Sequence, residues 1–150
     1  LYNDFFLGKC AEFHAFDLRK SKSVLSVRIE EQESTVYPQG ICWHLGANAL
    51  ESAEILAKLD IVIMTGCTIV NDTYRHILRA CKKAQIRGIY GPSCELCPEY
   101  LFDLGYNYVF SASVRNKEEY MKATFAPLPV GNDLHYMDKY ELTRSGMCGK

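Results

Sequence analysis

Cys94 and Cys97 frame a Cys-x-x-Cys directly after the turn Gly91-Pro92-Ser93. Three chemistries suit such a pair: half of a thiolate metal clamp, a redox dithiol, or two small apolar residues placed in a loop. A structural zinc site normally needs a second Cys pair or two closely spaced histidines, and neither accompanies this one. The dithiol reading needs a helix N-terminus to lower a thiol pKa, and Pro98 marks a helix starting just after Cys97. Convergence favours the metal. Cys10, Cys67, Cys94 and Cys97 each follow an apolar run of strand length, and four thiolates at one sheet edge would suit zinc, another soft metal or an iron–sulfur cluster. Cys42 and Cys81 read as buried packing cysteines.

The elements that must position these thiols alternate. Apolar runs at 4–7, 24–29, 61–64, 86–90 and 106–111 read as strands, and 12–20, 49–59, 71–84, 98–104 and 116–124 read as helices. In the helix predicted from Asn71, residues Ile77, Leu78 and Cys81 share one face, and Asn71 or Asp72 is a suitable N-cap. Strands that are apolar throughout and separated by helices predict a parallel sheet covered on both faces. The expected fold is α/β, a Rossmann-like three-layer sandwich with a mostly parallel five-stranded sheet, over residues 1–125. The polar and then Pro/Gly-containing stretch 31–46 reads as a long, lid-like loop. Residues 126–150 read as an irregular tail or an added edge element.

A ligand crevice in such a sheet lies at the carboxyl ends of the strands. The segment Met64 to Thr73, MTGCTIVNDT, leaves a strand through Thr65-Gly66 and enters a helix, an arrangement that presents backbone amides to an anion or polar ligand. Its side chains also suffice as simple turn and cap residues. Gly8-Lys9-Cys10-Ala11 has one glycine where a dinucleotide fingerprint has three, so a pyrophosphate site is not supported, and Glu30 lacks the glycines that would make it a ribose ligand. Ser93 sits outside a Gly-x-Ser-x-Gly elbow and has no assignable His/Asp partner, so no catalytic residue is assigned. Glu95 and Glu99 stand beside the cysteines as general-base or outer-shell candidates. Of His14, His44, His76 and His135, His14 is the best placed, one helical turn past Cys10 if that segment is helical.

Composition narrows the partners. In 150 residues the hydrophobic fraction is 48%, the charged fraction 23% and the net charge −1, which suits one soluble domain and offers no basic stripe for nucleic acid or an anionic membrane. No apolar run approaches the roughly 20 residues of a membrane span. An odd count of seven cysteines without a signal-peptide pattern leads us to expect reduced thiols in the cytoplasm. Because the chain opens on Leu1 and runs straight into Phe5-Phe6-Leu7, a preceding domain is expected. A small-molecule or metal ligand, an N-terminal domain and a second copy of the chain are the expected partners.

DIVIMTGCTIVNDT (60–73) followed by GIYGPSCELCPEYLFDLGYNYVFSASV (88–114) resembles the heavy-metal chelation domain family. The resemblance implies a Rossmann-like domain preceded by a smaller enolase-N-terminus-like domain. It also implies a cleft in which Thr65, Gly66, Thr68, Asn71, Gly91, Pro92 and Ser93 match the family's motif positions and contact the ligand. Cys67 stands where the family usually has threonine or serine, and Cys94 and Cys97 replace small or hydroxyl residues. Either the metal theme is accentuated here or the hydroxyl contacts are altered.

Overall fold

A computed structural model describes residues 9–20, 25–29, 32–36, 40–125 and 136–144. The chain divides into two compact units, Leu1–Ala53 and Glu54–Lys150. In the second unit, β5 (Ile61–Thr65), β6 (Ile86–Tyr90), β7 (Tyr108–Val114) and β8 (Met137–Thr143) form one sheet in that order. The first three run parallel, Ile61 pairing with Ile86 and Gly88 with Tyr108. Two helical crossovers link them. α3 (Cys67–Val70) and α4 (Tyr74–Ala80) join β5 to β6, and α5 (Pro98–Leu104) joins β6 to β7, as parallel neighbours require. α6 (Lys117–Thr124) follows β7.

Burial follows the pattern of the sequence. Val62 and Met64 alternate with the more exposed Ile61 and Ile63 on the edge strand β5, and they join Ile89, Val109, Leu78, Cys81, Leu101 and Phe102 in the core. The α5 bounds agree with the predicted helix, because Pro98 opens it and Gly105, with φ 114°, closes it. The described part of the tail is the edge strand β8, antiparallel to β7 from Val114↔Met137 to Tyr108↔Thr143. An Arg115–Asp138 ion pair and a Tyr108 Oη–Glu141 hydrogen bond of 2.7 Å secure it.

The first unit holds β1 (His14–Asp17), β2 (Leu25–Ile29), β3 (Gln32–Val36) and β4 (Cys42–Leu45). β1 pairs parallel with β4, whereas β2 and β3 form an antiparallel pair. α1 (Ala47–Leu50) and α2 (Ala53–Leu56) follow β4.

Several expectations are corrected. The described strands make sheets of four, two and two, in place of one sheet of five. The predicted helix 12–20 is the strand β1: its residues suit a helix, but ladder pairing with β4 satisfies the backbone instead, and the Arg19 amide bonding to Asp17 Oδ1 at 2.9 Å turns the chain after it. The predicted lid 31–46 contains β3 and β4. The helix predicted over 71–84 is shortened, because Asn71 Oδ1 accepts from the Thr73 amide and hydroxyl at 3.2 and 2.7 Å and ends α3 in a turn. The run 4–7 and Glu30 lie outside the described residues.

Candidate functional site

Two loops meet at the carboxyl ends of β5 and β6. On leaving β5, the Gly66 amide donates to Tyr90 O at 2.9 Å, so the first loop stays tied to the end of β6. The half-buried Thr68 then donates its hydroxyl to Thr65 O at 2.7 Å, turning the chain into α3. Gly66 is buried, and a Cβ there would stand 2.6 Å from both Cys94 N and Ser93 C. Only glycine lets the loops close to this distance. The closure sets Cys67 Sγ 4.0 Å from Ser93 Oγ, both on exposed residues.

The second loop pivots on Gly91, whose φ of 101° and ψ of 167° belong to a region essentially restricted to glycine. Its amide donates to Phe110 O at 3.0 Å. Its carbonyl gathers three donors: the Cys94 amide at 3.0 Å, the Cys94 thiol at 2.9 Å and the Ser111 hydroxyl at 3.0 Å. The short 3-10 turn Pro92–Cys94 therefore rolls Cys94 inward, where it is 0% exposed, and leaves Pro92 and Ser93 outside. Burial pushes the Cys94 thiol pKa up, so at neutral pH it is a thiol.

Cys97 caps α5, is exposed, and donates to Glu99 Oε2 at 2.8 Å. That bond holds the Glu99 carboxyl below its ordinary pKa. Cys94 and Cys97 thus face different partners, and neither is in a disulfide. Asn71 is exposed and committed to the turn at Thr73. Cys10 is exposed and belongs to the first unit. Among the described residues no three or more His, Cys, Asp or Glu side chains gather as a metal-holding group, so the expected meeting of Cys10, Cys67, Cys94 and Cys97 is not preformed. The reason is local. A thiol that donates to Gly91 O cannot also project from the loop's outer face.

Native-state alkylation checks this division of the cysteines. Iodoacetamide is expected to modify Cys67 and Cys97 at least about tenfold faster than Cys94 and Cys81, whose thiols are buried and raised in pKa. Peptide mass spectrometry reads the rates, and equal rates would contradict the inward placement of Cys94.

Sequence reasoning missed Tyr106. It is 0% exposed, and its hydroxyl has no hydrogen-bond partner among the described residues. Burial pushes its pKa up to about 12, an effect that the nearby Thr68 hydroxyl, which donates to Thr65 O, only partly eases. A tyrosine opening an apolar run carries no signal that its hydroxyl will be stranded.

The family described as DUF364, "Putative heavy-metal chelation", matches residues 12–126. The chain belongs to this family. Two solved DUF364 structures of unknown function share its fold. One, from Pyrococcus horikoshii, superposes with a TM-score of 0.58 at 25% identity, covering 71% of this chain and 42% of that one. The other, from Desulfitobacterium hafniense, has a TM-score of 0.58 at 17% identity, covering 70% of this chain and 44% of that one. This DUF364 chain therefore spans less than half the length of either relative. No curated protein matches it. The match establishes the Rossmann-like α/β class, and the family's description points to metal chelation. Among the described residues no helix is long and apolar enough to cross a membrane.

Proposed function

We propose that the carboxyl edge of β5 and β6 binds a soft transition metal ion or metal complex, with the Cys67 thiolate as its principal protein ligand. The observation that carries the reading is the closure at Gly66, which holds Cys67 Sγ and Ser93 Oγ 4.0 Å apart on exposed facing loops. A thiolate selects soft metals, and the family's description supports the same class. An iron–sulfur cluster asks for about four thiolates. A metal complex that brings its own ligands asks for one or two, and suits this edge better. Thr65, Gly66, Thr68 and Asn71 shape the first loop, and Gly91, Pro92 and Ser93 the second. Cys97 is the second thiolate of the proposal. The inward Cys94 would join only after a rearrangement.

The test is anaerobic purification followed by cadmium titration, with acid-labile sulfide measured in parallel. Cys67→Ser is expected to weaken cadmium binding at least about tenfold, since a hard hydroxyl replaces the soft ligand. Cys94→Ser is expected to change it little. Equal, near-zero cadmium in the parent and in a Cys94/Cys97 double-serine variant would end the metal reading.

A second reading, an enzyme acting on a small anionic or nucleotide-like molecule held by the same loops, is favoured by Gly91. Among the described residues nothing lies within 4 Å of where its Cβ would stand, so a ligand has room to approach that backbone. Thermal stabilisation by small organic anions that survives replacement of every cysteine would support this reading over the metal one.

A further inference from the structure

The first unit carries a second set of metal-competent side chains, independent of the thiols at the β5–β6 edge. The register of the parallel β1–β4 pair sets His14 across from Cys42 and Phe16 across from His44. Partners across a ladder project to the same face, so His14, Phe16, Cys42 and His44 share one side. Their rings stack there, with Phe16 and His44 centroids 4.6 Å apart and His14 and His44 centroids 5.3 Å apart. The stack brings His14 Nδ1 to 3.0 Å from His44 Nε2. On its other side, His14 Nε2 lies 3.1 Å from Glu12 Oε2.

With both imidazoles neutral, this geometry assigns the protons. A neutral imidazole carries one N–H, and the Glu12 carboxylate can only accept. His14 therefore donates from Nε2, and its Nδ1 lone pair accepts the N–H of His44. Two cis ligand nitrogens on a divalent cation, each at about 2.1 Å, stand about 3.0 Å apart at a right angle and about 3.4 Å apart in a tetrahedron. The nitrogen separation therefore already matches, and a cation lying off the N–N line takes both lone pairs once the rings turn toward it and His44 moves its single N–H proton from Nε2 to Nδ1 through solvent. The Glu12–His14 contact is the carboxylate–imidazole pairing that orients metal-bound histidines and raises their basicity.

We propose that His14 Nδ1 and His44 Nε2 bind a zinc-class divalent cation, with Cys42 as the third protein ligand and Glu12 as a positioning residue. Cys42 is exposed, directly across from His14 and two residues before His44 on the same face. Its thiol is not already gathered with the imidazoles, and it turns toward them on binding, losing its proton to solvent. Two imidazoles and a thiolate suit zinc, and solvent fills the fourth position.

The experiment is a zinc and cobalt(II) titration of the full chain under reducing, anaerobic conditions. The expected result is one equivalent of zinc still bound at this site in Cys67→Ser, with the affinity the site has in the parent chain. His44→Phe, which keeps a ring on Phe16 and removes the ligand nitrogen, should weaken binding at least about a hundredfold. Glu12→Gln should weaken it about tenfold, the usual effect of losing such an orienting partner. Cys42→Ser should abolish the sulfur-to-cobalt charge-transfer absorption. Nitrogen NMR of the unmutated chain needs no variant to fold: zinc should shift the imidazole resonances of two of the four histidines. Unshifted imidazoles, or zinc binding lost in Cys67→Ser and kept in His44→Phe, would overturn the proposal.

Discussion

Gly66→Ala is expected to destabilise the Glu54–Lys150 unit by about 3 kcal/mol, at the upper end of overpacking costs. The backbone at Gly66 has φ −55° and ψ −22°, which any residue adopts, so strain in its own dihedrals contributes nothing. At such a position alanine would ordinarily stabilise by about 0.4–1 kcal/mol through the unfolded chain. The sign reverses because the new Cβ would stand 2.6 Å from Cys94 N and Ser93 C and 2.9 Å from Ser93 Cβ. Two of these are backbone atoms held by the Gly66–Tyr90 and Cys94–Gly91 hydrogen bonds, and they cannot swing aside as a side chain would. The loops must part, which also separates Cys67 from Ser93, so cadmium affinity should fall with stability. Trp43, the only tryptophan, belongs to the other unit. The readout is therefore amide exchange of β5 and β6 in increasing urea. Protection equal to that of the parent would refute the close approach. Gly91→Ala is the control: with nothing among the described residues within 4 Å of its Cβ, its cost of about 1–3 kcal/mol comes from φ 101°.

Tyr106→Phe is expected to stabilise the second unit at neutral pH and to stabilise it more at alkaline pH, the reverse of the usual cost of removing a buried polar group. Its hydroxyl is buried without a partner among the described residues, and a stranded hydroxyl costs about 1–3 kcal/mol, so phenylalanine should stabilise the unit by about 1 kcal/mol at pH 7. At high pH the effect grows. Burial raises the folded tyrosine to about 12 from an ordinary 10.0. Between these values the unfolded chain loses the phenolic proton while the folded chain keeps it, so stability is intact below pH 10 and declines up to pH 12. That difference corresponds to about 3 kcal/mol, and it should be absent from Tyr106→Phe. Cys81, Cys94 and Tyr108 are also raised and add to alkaline loss in both proteins, so the difference between the two denaturation curves isolates Tyr106. A phenylalanine variant that is less stable at pH 7 would mean that the hydroxyl has a partner.

The second unit was the more legible one. β6 matches its predicted bounds and β5 ends one residue later, because parallel strands are continuous apolar runs, and Thr65-Gly66 and Gly91-Pro92 punctuate them. α5 was legible from Pro98 and the glycine after Leu104. β1 was not, since Glu12 to Lys20 locally suits a helix and its state is decided by pairing with β4, a partner far along the chain. For the same reason the helical spacing inferred between Cys10 and His14 pointed to the wrong neighbour. His14 meets His44 through the β1–β4 register.

By itself the sequence determined the α/β class, the family, and which residue types arrive at the carboxyl edge of β5 and β6. Those properties follow from periodicity and from turn residues close to one another in the chain. Tertiary structure alone decided which thiols face outward. Cys94 and Cys97 are three residues apart, yet the first is drawn under Gly91 O by a 3-10 turn and the second opens a helix beside Glu99. The direction of a side chain depends on the dihedral angles of its own turn and on what the neighbouring strands leave unbonded. A Cys-x-x-Cys spacing encodes neither.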